Sequence, residues 1–352
     1  MLASLATLAA TTGAFAQSTV TLYGVFDTGF QSNKLTAGDT TVKQTAGVQG
    51  GMSGNRIGFK GTEDLGGGLK ANFVVELGLD PTEANSAFGD NNRQSYVGVE
   101  GAFGTFNMGR QYSLHHNNQA AGDMLGNLNG QTGYLGALDS LVRVSNSFIY
   151  TSPSFSGFTV AAEMALGETW KNADAAEGTN NPTTVAASNE KKNETTGVRL
   201  NYANGPLAVG YAYEQTKNGT FAAIKLLGVT ASDIPVSGLD YNKRKANNLS
   251  ASYDFGVAKV GFVNNSTKYD TVKWTSNTLS AAVPMGAATL FGSTSAGKIK
   301  EDGESVKVSA YQLGASYALS KRTNVYAFTG QQKFKDVEIK YTSTTLGLRH
   351  TF

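Results

Sequence analysis

The sequence predicts an all-β protein, a closed antiparallel barrel of sixteen strands that crosses a membrane. Three observations carry that expectation. Side chains alternate between apolar and polar along many short segments. Short glycine-rich turns alternate with long polar connections. Apart from residues 1–16, no apolar run approaches the ~18 residues that a spanning helix needs. A chain of 352 residues exceeds a common domain, but barrels exceed that size as single units. The 42 glycines, 6 prolines, 15 tyrosines and 18 phenylalanines suit strands joined by tight turns, with rings at interfaces.

The totals exclude several classes. With no cysteine there is neither a disulfide framework nor a thiolate metal site. A net charge of +2 and a mean hydropathy of −0.23 argue against a polyanion-binding protein and against a helical membrane protein. A large barrel escapes that second exclusion, because it is polar inside and apolar outside and so averages like a soluble protein. Lys243-Arg244-Lys245 is too small a basic run to imply nucleic acid and suits a solvated edge or lipopolysaccharide phosphates.

Residues 1–16, MLASLATLAATTGAFA, are small and apolar and end in Ala14-Phe15-Ala16, the pattern of a signal-peptide cleavage site, although no Lys or Arg precedes Lys34. Residues 17–352 then form the barrel. Val20, Leu22, Gly24, Phe26, Thr28 and Phe30 share one parity, and Thr21, Tyr23, Val25 and Asp27 share the other. Ile57 and Phe59 oppose Arg56, Gly58 and Lys60, and Ala71, Phe73, Val75 and Leu77 oppose Asn72, Val74 and Glu76. In the last segment Leu346, Leu348, His350 and Phe352 oppose Tyr341, Ser343, Thr345 and Arg349.

Short turns fall at residues 64, 101, 153, 203, 254, 283 and 319. Longer connections fall near 33–49, 81–91, 112–142, 169–194 and 218–244, with shorter ones near 270, 298–305 and 335–338. Seven turns and eight loops require sixteen strands, and an even number with turns short on one side only is how outer-membrane barrels are built. Phe148, Tyr150, Tyr253, Phe255, Tyr317 and Phe352 gather near the short-turn ends like one aromatic girdle. The connection at 112–142 is too long to be idle. It is expected to fold into the barrel mouth, facing arginines on neighbouring strands.

VTLYGVFDTGF at 20–30, NRIGFKGTEDLGGGLKANFVVE at 55–76, RQSYVGVEGAFGTFNMGRQ at 93–111, NSFIYTSPSFSGF at 146–158 and the terminal RHTF together resemble the general porins of β-proteobacteria, over nearly the whole mature chain. The resemblance implies a homotrimeric channel in the Gram-negative outer membrane, surrounded by lipid and lipopolysaccharide, with its third long loop narrowing the pore. It also implies that Phe352 is read by the barrel-assembly machinery. Anion-selective members carry constriction arginines whose positions match Arg56, Arg93 and Arg143, and an acid that matches Glu76. This loop has His115-His116 where an acid is expected, which leaves Asp123 and Asp139 as candidates to face the arginines.

Parity supports two of these positions. Arg56 shares a side with Gly58 and Lys60, and Arg143 with Ser145 and Ser147; at the lipid midplane an arginine costs roughly 2 to 4 kcal/mol. By the same alternation Arg93 brings Val97 and Val99 inside with it, and Arg110, sharing parity with Phe106 and Met108, belongs near a strand end. The function expected is passive diffusion of small hydrophilic solutes, favouring anions such as small organic acids, phosphate or sulfate, without cofactor or metal. A secreted adhesin or lectin sandwich and an outer-membrane barrel hydrolase are the rival readings. The second is poorly served, since His115, His116 and His350 are the only histidines and show no nucleophile beside them.

Overall fold

The computed structural model describes residues 19–82, 92–125, 141–167, 193–220, 225–226, 229–230 and 240–352. Its strands are β1 (Thr19–Ala37), β2 (Thr40–Gln49), β3 (Arg56–Gly66), β4 (Leu69–Gly78), β5 (Asn92–Gly101), β6 (Gly104–Tyr112), β7 (Arg143–Thr151), β8 (Phe158–Ala165), β9 (Glu194–Asn204) and β10 (Leu207–Thr220). After the two-residue pieces β11 (Lys225–Leu226) and β12 (Val229–Thr230) come β13 (Asp240–Asp254), β14 (Lys259–Tyr269), β15 (Val272–Met285), β16 (Ala288–Glu301), β17 (Glu304–Ala318), β18 (Thr323–Phe334) and β19 (Ile339–Thr351). Among the described residues one helix, α1 (Leu114–Gly122), follows β6.

Neighbours pair antiparallel around a ring that closes between β1 and β19, so the wall has no open edge. The wall is a closed sixteen-stranded barrel because β2 and β3 are one strand interrupted. β2 pairs with the upper part of β1, from Thr28 to Ala37, and β3 with its lower part, from Thr19 to Val25. Residues 50–55 between them leave the ladder.

All seven short turns lie where the sequence places them. In the first, Gly66, Gly67 and Gly68 all have positive φ, a conformation that side chains with a Cβ rarely adopt. The connections on the other side are partly shorter than expected. β1 and β2 continue the ladder to a turn at Gly38-Asp39, and β16 and β17 to one at Asp302-Gly303, so most of 33–49 and 298–305 is strand. Polar composition suggested loops there, but a hairpin standing above the membrane has water on its outer face and stays polar.

The two faces separate by parity. Val20, Leu22, Phe26, Phe30, Phe59 and Val75 are exposed on the outer wall, as are Tyr150, Tyr253, Phe255, Tyr317 and Phe352 near the short turns. Val25, Asp27 and Glu76 are buried within, and the inner wall is largely small and polar, with Ser276, Thr278, Ser280, Ser293 and Ser295. The inner face is not uniformly polar, however. Near the long-loop rim Leu35, Trp274, Ile299, Val308, Phe334 and Ile339 pack into one apolar cluster. Hairpins that rise beyond the membrane can shed water from apolar side chains only against one another.

Candidate functional site

The loop after β6 enters the barrel as α1. Ser113 is its N-cap, accepting the His116 N–H at 3.1 Å, and its hydroxyl donates to the Leu141 carbonyl at 2.8 Å, closing the base of the loop. The Leu114 N–H donates to the buried carboxylate of Glu163 on β8 at 2.8 Å, an acid where the helix dipole favours one. Along its length Asn118 bonds the Gly210 carbonyl and Asn248, and Gln119 bonds Asn265. At the far end Met124 N donates to Ser280 on β15. The helix is thus fastened to the wall from β8 to β15, beside the buried pair of Arg244 and Glu214.

Across from the helix, Glu76 on β4 gathers the basic side chains. It accepts Arg93 Nε at 2.6 Å, lies 3.5 Å from Arg56 Nε, and accepts the Tyr23 hydroxyl at 3.1 Å. Arg93 continues to Tyr112, whose hydroxyl accepts from Arg93 Nη2 at 2.9 Å and from Arg143 Nη2 at 3.2 Å. The Arg143 guanidinium lies 4.7 Å from the centroid of the Tyr112 ring, and His116 stacks on the same ring at 5.1 Å with its plane tilted by 15°. Burial, with Arg143 and Arg93 nearby, pushes the His116 imidazole down to about 4. His115, fully buried near Arg244, lies well below its ordinary value. Both rings are neutral at pH 7, so among the described residues this patch carries three guanidiniums and one carboxylate.

Each of the three arginines stands at a break in strand regularity. Arg56 is the first residue after the excursion 50–55, and its Nη1 donates to the Gly54 carbonyl at 3.2 Å. At Arg93 the β4–β5 register slips, with Glu76 opposite Gln94 but Leu77 opposite Asn92. In β7 an extra residue lies between Ser147 and Val144, where Asn146 has φ 52°. Bulges re-aim side chains in this way. The slip corrects the reading of β5: Val97 is exposed on the outer wall, Gln94 and Tyr96 line an internal cavity, and Arg93 turns inward against simple alternation. The bulge in β7 likewise ends the simple alternation that placed Ser145 beside Ser147. Arg110 bonds the Asn92 carbonyl at 2.7 Å and Ser145 at 2.8 Å, bracing both bulges.

Of the loop acids, Asp123 ends α1, accepting the Leu125 N–H next to Ser280, on the β15 side of the barrel. Asp139 lies outside the described residues. Among the described residues the acid that pairs with the arginines is Glu76, from the wall, which holds Arg56 and Arg93. Sequence reasoning missed Tyr112, Arg349 and Arg199. Arg349 has inward parity, bonds Ser53 of the excursion at 2.8 Å and lies within electrostatic reach of Arg56, so its alternation held the signal. Nothing in the sequence marked Tyr112.

A closed barrel with apolar groups outward, a polar interior and a loop folded inside it defines a transmembrane channel. The family model of Gram-negative porins matches residues 3–337. An outer membrane porin of Bordetella pertussis is 30% identical over 389 residues, covering 96% of this chain and 95% of its own. The outer membrane porin protein 32 of Delftia acidovorans is 31% identical over 366 residues, covering 99% and 92%. Among solved structures, an anion-selective porin from Comamonas acidovorans superposes with a TM-score of 0.73 at 25% identity, over 96% of this chain and all of its own. The chain belongs to the Gram-negative porin family, and its place is the bacterial outer membrane.

Proposed function

We propose that the channel favours small anions, and that Arg56, Arg93 and Arg143 with Glu76 form its constriction. One observation carries this reading: among the described residues three guanidiniums gather around one carboxylate on one side of the lumen, Arg56 and Arg93 paired with Glu76 and Arg143 joined to Arg93 through Tyr112. Guanidiniums stay charged at every relevant pH and present several donors to a carboxylate or phosphate. A ring of such groups raises the local concentration of anions and repels cations. Small organic acids, phosphate and sulfate are the solutes that fit, passing by diffusion without catalysis. The anion-selective character of the related Comamonas porin favours the same reading.

In this reading α1 narrows the pore, with Asp123 or Asp139 as the loop acid opposite the basic patch. Residues 1–16 are a cleaved signal, and the chain works as a homotrimer in lipid and lipopolysaccharide. Phe352 serves as the assembly signal; its backbone exchanges two hydrogen bonds with Gly24 at the closing seam. Reversal potentials in asymmetric potassium chloride test the central point. A potential of the sign given by chloride permeation supports it, and one of the opposite sign defeats it.

A further inference from the structure

Between α1 and the short-turn rim, the inner wall holds a cavity of about 190 Å³. Its apolar side is Leu114, Ile149 and Ala161, which pack as one cluster. Its polar side includes the amides of Gln94, Asn107 and Asn117 and the guanidinium of Arg199 on β9. Tyr112 lines it too, so the cavity adjoins the cluster of Arg93 and Arg143. Among the described residues no acidic side chain lines it.

Arg199 is the unusual member. It is half-buried, and its hydrogen bonds go to neutral partners: Nε to Asn118 of α1 at 3.2 Å and Nη2 to Asn201 at 3.2 Å. Among the described residues no carboxylate pairs with it, and its Nη1 makes no hydrogen bond. A guanidinium withdrawn from water without a counter-charge is costly, and an incoming carboxylate removes that cost while making charge-assisted bonds. The two asparagines hold the fork in place, so little order is lost when an anion binds. The neighbouring amides can both donate to and accept from hydroxyl groups. At about 30 Å³ per water molecule, the space suits a solute replacing roughly six waters.

We propose that this cavity is a solute-binding subsite of the channel, on the short-turn side of the basic patch, and that it takes a small hydroxylated monocarboxylate. The carboxylate meets Arg199, the hydroxyls meet the amides, and the carbon chain lies on Leu114 and Ile149. Among the described residues of the wall there is one cation and no acid, which favours a single negative charge. The proposal rests on the channel reading above and gives that channel a preferred class of solute.

The test uses the purified full chain in planar bilayers, with gluconate as probe and sorbitol as the uncharged control of similar size. Gluconate added on the short-turn side is expected to reduce the chloride current with saturation, and more strongly than from the opposite side. In Arg199→Gln the half-blocking concentration should rise about tenfold, the loss of roughly one charge-assisted bond. Thr159→Phe, which fills the cavity from its rim without touching an ion pair, should raise it as well. Heat-modifiable migration on gels reports whether each variant has folded, and if one fails the other decides. Equal block of the folded variants and the parent protein, or equal block by sorbitol, overturns the proposal. The reversal potential in potassium chloride is read in the same membranes. A cation-favouring value sinks the anion reading of the basic patch, whereas absence of saturable gluconate block in the parent protein, with an anion-favouring value, sinks only the subsite.

Discussion

Glu76 and Arg93 meet at 2.6 Å across the point where the ladder between β4 and β5 slips by one residue. The slip turns Arg93 into the lumen, and the carboxylate holds it there together with Arg56. Counting unit charges, the patch of Arg56, Arg93, Arg143 and Glu76 has a net charge of about two positives. An ion about 4 Å from a unit charge in water feels about 1 kcal/mol, a factor of about five in local concentration. Glu76→Gln should therefore raise the chloride-to-potassium permeability ratio by up to about 25-fold, about fivefold from each ion, and Arg93→Ala should lower it by a similar factor. Zero-current potentials across a salt gradient measure both. Opposite shifts in the two variants are the required outcome.

Asp27 fixes the excursion that delivers Arg56. Its carboxylate accepts from the backbone N–H groups of Met52 at 2.9 Å and Ser53 at 2.7 Å, and from the Tyr326 hydroxyl at 2.5 Å. Asp27→Ala strands three donors in a buried place, at about 1 kcal/mol or more each. The variant should unfold at a lower temperature by heat-modifiability and show a broader spread of single-channel conductance, because residues 50–55 then hold Arg56 less firmly. Tyr326→Phe, which removes one of the three bonds, should lie between it and the parent protein.

His116 gives the protein an acid limit. Its ordinary value is near 6.5 and the fold lowers it to about 4, so between these pH values the unfolded chain binds the proton and the folded chain does not. Stability should fall as pH drops through that window and level off below about 4. His115, lowered further by burial, acts in the same direction. His116→Phe keeps a flat ring for Tyr112 and should flatten part of this slope in unfolding temperatures recorded from pH 7 to pH 4. An unchanged slope would place its origin elsewhere.

The barrel was legible in the sequence because alternation and turn chemistry are local. Val20 to Phe30 reads outward by parity alone, and Gly66-Gly67-Gly68 announces its own turn. Parity pointed Arg56 and Arg143 inward, but it misread Arg93, and that the three belong to one cluster came only from resemblance; the structure shows why. Each stands at a bulge or excursion, where the two-residue period that the sequence displays no longer holds. Val97 was assigned inward for the same reason. The partners of α1 lie far away in the chain, as Asn118 with Asn248 and Leu114 with Glu163, and no short-range pattern reports such pairings.

The seat of α1 depends on two glycines. Gly122, at the C-terminal end of the helix, and Gly261 on β14 approach so closely that a Cβ built on Gly261 would collide with the Gly122 carbonyl oxygen. A Cβ on Gly122 would press on the Phe262 carbonyl. Both obstacles are backbone, which cannot swing aside as a side-chain tip can. In Gly261→Val the barrel wall should persist, since β-branched residues suit a strand, while the end of α1 is forced away from the wall and further into the lumen. The expected results are an intact heat-modifiable barrel and a single-channel conductance well below that of the parent protein. Gly286→Val, at a turn where no atom lies within 4 Å of a Cβ, serves as the control: its φ of 64° makes it strained, so it should lose some thermal stability without loss of conductance. Equal conductance in Gly261→Val and the parent protein would show that the helix end does not bound the pore.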